Sequence, residues 1–281
     1  MTDIIKQQLL TGERALFKAR DKEIRLSTFA DGESPLKESR DIRLFNSSFK
    51  WKYPLWYSRN IELKDCTLFK EARAGIWYTD DLTMNDCIVE APKTFRRCRN
   101  LVLNSVSMVN AEETLWHCQN VTINRGSAKG NYFAMNSSDL KISDFELIGN
   151  YSFDGAKNIV IDNARMLSKD SFWNAENVEV RNSFISGEYI GWNSRNIRFI
   201  NCIIESLQGF CYIDELTLEN CNLINTNLAF EYSTVNADVN TIIDSIKNPV
   251  AGRITAKDIK EIIFDDPERS DPQKTEIIIK K

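Results

Sequence analysis

Asp170 and Glu188 are the acidic residues whose spacing invites chemistry. They fall in neighbouring copies of a repeat of about nineteen residues. That spacing predicts carboxylates within the roughly 5 Å used by retaining glycosidases. Two like charges so close raise one pKa, which suits a general acid. Glu113 holds the place of Asp170 three copies earlier. Lys169 is the local counter-ion, and Lys93, Arg73 and Lys169 are placed to orient an anionic group. The same residues also read as a solvated, salt-bridged face, because any repeat of this composition stacks acids.

Beside these polar columns, five of the six tryptophans share one position of the repeat: Trp56, Trp77, Trp116, Trp173 and Trp192, together with Arg96, Met135, Asp154, Cys211 and Phe230. The residue before each is apolar, as at Leu55, Ile76, Phe95 and Phe172. Strand neighbours point to opposite faces, so a core column implies an outward tryptophan column, in keeping with Arg96 and Asp154. Indole faces pack on the C–H faces of sugar rings, and an exposed aromatic stripe asks for a partner. The candidate ligand-binding residues are Trp56, Trp77, Arg73, Lys93, Arg96, Trp116, Tyr151, Lys169, Trp173 and Trp192. The competing reading buries the indoles in the core or under a loop.

Other chemistries are thinly represented. The single histidine, His117, reads as a packed ring beside Trp116, and Ser-His-Asp, Cys-His and multi-His metal sites all need histidine in company. No Cys-x-x-Cys pair or phosphate-binding glycine loop is found, so no metal and no cofactor is expected. A net charge of −4 with dispersed Lys and Arg argues against nucleic acid. No signal peptide or membrane span is legible. Seven cysteines, an odd number, point to reduced thiols in a cytoplasmic protein.

The frame that positions these columns is Asn177-Val178-Glu179-Val180-Arg181-Asn182-Ser183, repeated at Asn196 and Glu215 and, upstream, at Asn158, Asp139, Asn120, Asn100, Asp81, Asn60, Asp41 and Glu23. Period-two alternation such as Ile159 and Ile161 is a strand signal. Nineteen residues accommodate three short strands and three bends, one rung of a β-solenoid. The pattern predicts an all-β fold: a single-stranded right-handed parallel β-helix of about 10–12 coils, roughly 19 residues each, with three strands per coil. Rungs about 4.8 Å apart would make a rod roughly 50 Å long. The leading Asn/Asp column reads as an amide ladder at a bend. Cys66, Cys87, Cys202 and Cys221 fall in an inward column, where stacking would permit a disulfide but packed thiols are the commoner state.

Residues 1–38 read as a cap and first irregular coil, 39–232 as regular coils, and 233–281 as closing coils, a polar linker and a strand-like tail. Residues 1–12 fit an amphipathic helix capped by Thr2, or a strand over residues 6–10. Residues 265–274 read as an exposed linker. Glu276-Ile277-Ile278-Ile279 reads as a strand that pairs with the body or with a second copy, and a homo-oligomer through it or through a face of the rod is expected.

The phrases Gly12-Glu13-Arg14-Ala15-Leu16-Phe17, Phe29-Ala30-Asp31-Gly32-Glu33-Ser34-Pro35 and Trp51-Lys52-Tyr53-Pro54-Leu55-Trp56 resemble a bacterial family known as domain of unknown function 3737, within the pectate-lyase-like β-helix superfamily. Ala72-Arg73-Ala74-Gly75-Ile76-Trp77-Tyr78 and Leu228-Ala229-Phe230-Glu231-Tyr232 extend the resemblance over nearly the whole chain. It implies the fold and a bacterial cytoplasmic setting, and it brings no catalytic residues with it. Three functions follow from the residues: binding of a saccharide or other elongated ligand along the aromatic face, a non-catalytic scaffold, or a polysaccharide lyase or glycoside hydrolase acting through Asp170 and Glu188.

Overall fold

The Asn and Asp residues that lead each repeat are where the chain turns. Asp41, Asn60, Asp81, Asn100 and Asn120, and again Asn158, Asn177 and Asn196, have φ between 51 and 58°. Short polar side chains tolerate this left-handed region because they bond locally. Each amide donates to the carboxylate or amide one coil earlier: Asn60 to Asp41 at 2.6 Å, Asn100 to Asp81 at 2.7 Å, Asn177 to Asn158 at 3.0 Å and Asn196 to Asn177 at 2.8 Å. A second ladder runs Asn124 to Asn104 to Asn85, and another runs Asn240 to Asn220 to Asn201 to Asn182. The first coil bends at Asp21, not at Glu23. Arg20 is opposite Arg40 and Lys22 opposite Ile42, which leaves Glu23 in the strand, ion-paired to Arg25 and Arg43.

A computed structural model describes residues 3–280, which divide into one unit ending at Glu146 and another beginning at Leu147. In the first, the leading strands Asp3–Lys6, Arg20–Arg25, Arg40–Phe45, Arg59–Lys64, Asp80–Asn85, Arg99–Met108 and Gln119–Lys129 pair in parallel, each with the next. In the second, Lys157–Leu167, Glu176–Arg181, Arg195–Ile200, Asp214–Asn227, Thr234–Val239, Ala251–Ala256 and Thr275–Ile279 do the same. Shorter strands such as Thr67–Leu68 and Ile88–Val89, or Ile76–Trp77 and Phe95–Arg96, form the other sides of the coils. This is the right-handed parallel β-helix that the repeat predicts.

The coils exceed the predicted ten to twelve, because the segments set apart as cap and tail also form rungs. Residues 3–10 are strands, Asp3–Lys6 and Leu9–Leu10, rather than a helix; Thr2, the expected cap, lies outside the described residues.

Burial follows the alternation. Leu55, Ile76, Phe95, Leu115, Phe153 and Phe172 are buried, and Phe153 stacks on Phe172 at 5.2 Å. Each such ring contributes about 1.5–3 kcal/mol on leaving water. All seven cysteines are free and buried, and their thiols donate to backbone carbonyls, as Cys66 does to Lys64 and Cys202 to Ile200. Burial pushes the Cys211 thiol up to about 12, so it stays protonated and inert. Cys211 and Phe230, expected in the outward column, are core residues. Phe230 stacks on Phe210 at 5.7 Å, one residue out of a strict nineteen-residue register. Residues 265–274 are not a free linker. Ser270 is buried and donates to the Pro249 carbonyl at 2.6 Å, and Asp266 accepts from the Tyr232 hydroxyl at 2.8 Å.

Candidate functional site

The tryptophan column is neither core nor open surface. Trp56, Trp77, Trp116, Trp173 and Trp192 are all half-buried. Four of the indole N–H groups are committed to the backbone. Trp56 donates to the Ala74 carbonyl at 2.6 Å, Trp77 to Lys93 at 2.8 Å, Trp116 to Tyr132 at 2.7 Å and Trp173 to Tyr189 at 3.0 Å. Each acceptor is a left-handed residue in the following coil, with φ of 50, 56, 56 and 43°. A bend of this kind aims its carbonyl away from the parallel ladder, and the indole of the coil before satisfies it. The column therefore staples each bend to its neighbour.

The ring faces are also occupied. In the first unit Trp56 and Trp77 stack at 5.1 Å with 6° between planes. Arg96 then lies 4.5 Å from the centroid of Trp77 and 4.5 Å from that of Trp116, a guanidinium held between two indoles. Glu113 anchors it at 3.4 Å and is itself held by Lys93 at 3.0 Å. The fold thus gathers Trp77, Lys93, Arg96, Glu113 and Trp116 into one cluster. Arg73 is exposed and contributes its carbonyl to the Tyr53 N–H.

In the second unit the column is a run of neutral rings. Tyr151 meets Trp173 edge-on at 5.8 Å, Trp173 meets Trp192 at 6.2 Å, and Trp192 meets Tyr212 at 4.6 Å. Tyr212 then meets Tyr232 at 5.2 Å. Arg269, in the segment expected to be a linker, closes the run, 3.8 Å from the Tyr232 centroid. A sugar platform presents free ring faces, whereas these rings pack against one another through tilted and edge contacts.

The two candidate acids do not share a surface. Glu188 pairs with Lys169 at 2.8 Å, which raises the lysine pKa. Asp170 is 2% exposed. Its N–H donates to the Glu188 carbonyl at 2.9 Å, and its Oδ1 has no hydrogen-bond partner among the described residues. Burial is the main cause that raises its pKa; Lys169 opposes it and Glu188 adds to it. A shallow groove of about 410 Å³ is lined by Lys169, Ser186, Glu188, Glu205, Leu207 and Asn225, but not by Asp170. Glu205 is fixed in it by Ser186 at 3.1 Å and Asn225 at 2.8 Å.

Residues 3–278 match the model of a family described as protein of unknown function (DUF3737). The chain belongs to this family. No curated protein matches the sequence. Among solved structures the chain is similar to PfbA, a surface adhesin of Streptococcus pneumoniae, with a TM-score of 0.55 at 8% identity over 82% of this chain and 85% of that one. That likeness is one of fold. The Azotobacter vinelandii mannuronan C-5 epimerase AlgE4 A-module aligns over 99% of this chain and 87% of its own at 9% identity, with a TM-score of 0.32.

Several residues of this family member escape the repeat reading. Tyr57 and Tyr78 stack at 4.8 Å on the exposed side of the column, and the paired Trp-Tyr dipeptides at 56–57 and 77–78 are the signal that could have found them. His117 is exposed rather than packed; partial burial and then Arg97 hold its pKa below the ordinary value. Glu205, Asn225 and Arg269 carry no sequence signal of their own.

Proposed function

We propose that this protein is a non-catalytic β-helical scaffold whose aromatic column holds successive coils in register. The observation that carries this reading is the set of four indole N–H groups bonded to left-handed carbonyls of the next coil. Side chains spent on backbone and on one another leave little free face and few free donors for a ligand. Tryptophan fluorescence titrated with a panel of neutral and uronate oligosaccharides tests the proposal. No spectral shift is expected at millimolar ligand, and a saturable shift abolished by Trp77→Leu would overturn it.

Saccharide binding keeps one specific support, the groove beside Lys169, Glu188, Glu205 and Asn225. Binding there would leave the tryptophan spectrum unchanged while Glu205→Gln reduced affinity in calorimetry. A hydrolase or lyase reading rests on Asp170, whose raised pKa suits an acid but whose carboxyl is buried away from that groove.

A further inference from the structure

The last strand of the second unit, Thr275–Ile279, pairs in parallel with Ala251–Ala256, placing Ile277 opposite Ile254 and Ile279 opposite Ala256. Ile254 and Ala256 are fully buried, so these columns face the core. Ile279 continues the second column yet is 47% exposed. On another side of the closing coils, Ile262 is opposite the buried Ile246 and is likewise 47% exposed. Ile278, on the outer face, is exposed as well. The free edge of Thr275–Ile279 has no strand partner among the described residues. An apolar edge with unpaired N–H and C=O groups is a template for another strand.

The first strand of the first unit is built differently. Asp3 occupies the position opposite Lys22, and Lys22 is opposite the buried Ile42. Asp3 and Lys22 form an ion pair there, and Lys6 ends the strand. Charges at inward positions of an edge strand discourage pairing. Parallel continuation of Thr275–Ile279 onto Asp3–Lys6 of another copy would bury that ion pair.

The charges that flank the isoleucines are compatible with a second copy of the same strand. Glu276 and Lys280 lie on either side of Ile277, Ile278 and Ile279, and each is also paired on its own chain, Glu276 with Arg253 at 2.7 Å and Lys280 with Asp238 at 2.6 Å. In an antiparallel pair of identical strands centred on Ile278, Ile277 faces Ile279 and Glu276 faces Lys280, each twice. We propose that Thr275–Ile279 is a dimer interface in which a second copy adds its own Thr275–Ile279 about a two-fold axis through Ile278. Such an isologous contact closes on itself and stops at two copies. It requires nothing of the aromatic column and would hold equally for a scaffold or an enzyme.

Sedimentation velocity of the full chain over a concentration series tests the interface. A monomer–dimer equilibrium is expected, and Ile278→Lys, which sets two like charges at the axis, weakens it about tenfold or more. Ile278 is on the outer face, so circular dichroism and melting of that variant should match the parent. Glu276→Lys, which also breaks the in-chain pair with Arg253, weakens dimerisation by setting two lysines opposite each other across the interface. A monomer at all concentrations, a dimer indifferent to both Ile278→Lys and Glu276→Lys, or species that grow beyond two copies would each overturn the proposal.

Discussion

In residues 3–146 the aromatic column is centred on a charge, with Arg96 between Trp77 and Trp116 and tied to Glu113. In residues 147–280 it is a run of neutral rings from Tyr151 to Tyr232, closed by Arg269. Both solve one problem. A left-handed bend leaves a carbonyl pointing off the ladder, and an indole from the preceding coil bonds it, as Trp116 does for Tyr132 and Trp173 does for Tyr189. The difference is in what fills the space between indoles. A guanidinium gives cation–π attraction on both faces but depends on a carboxylate, and so responds to salt. Tilted rings give dispersion and edge contacts that salt does not touch.

The largest effect is expected where the two units are alike. Asn100→Leu and Asn177→Leu each place a branched apolar side chain in a left-handed bend and cut an amide ladder. Both should lose about 2–3 kcal/mol in denaturant unfolding, and a large difference between them would mean that the ladders are not equivalent.

Arg96→Met should cost about 1–2 kcal/mol. It should also remove the salt sensitivity of amide exchange in residues 99–129, leaving 176–227 unchanged. Exchange in 99–129 that stays salt-dependent in the variant would detach the charge from the column.

The smallest effect concerns Asp170. Its folded pKa is raised, chiefly by burial, so its contribution to stability is present at low pH and lost as pH rises through the folded pKa. Asp170→Asn, which suits the left-handed φ of 56°, should therefore raise the melting temperature slightly at pH 7, and the gain should vanish below the carboxylate range. An equal gain at pH 3 and pH 7 would contradict it.

The fold was legible because its devices are local. An Asn or Asp that turns the chain, followed by alternating residues such as Val178 and Val180, can be read without knowing what packs on it. Glu23 was misplaced for the same reason. The alternation reaches it, while the bend is at Asp21, a residue with the same chemistry two positions earlier. Phe230 was misplaced because one extra residue shifts an inward position outward on paper, whereas core packing absorbs it; Cys211 keeps the register of Trp192 and is buried all the same. The column of tryptophans was visible as a column, but the direction of each ring was not. Whether an indole shows its face or its N–H depends on the carbonyl one coil away, and the exposed groove depends on Glu205 and Asn225, which meet only through strand pairing.

The central claim is that the indole N–H holds a neighbouring bend. Trp173→Phe keeps an aromatic ring in the column and removes the donor to the Tyr189 carbonyl together with part of the ring area. Its melting curve should show a loss of about 1–2 kcal/mol, with faster exchange around residues 189–192. An unchanged melting curve and unchanged exchange would contradict the account and return the column to the surface as a place for ligands.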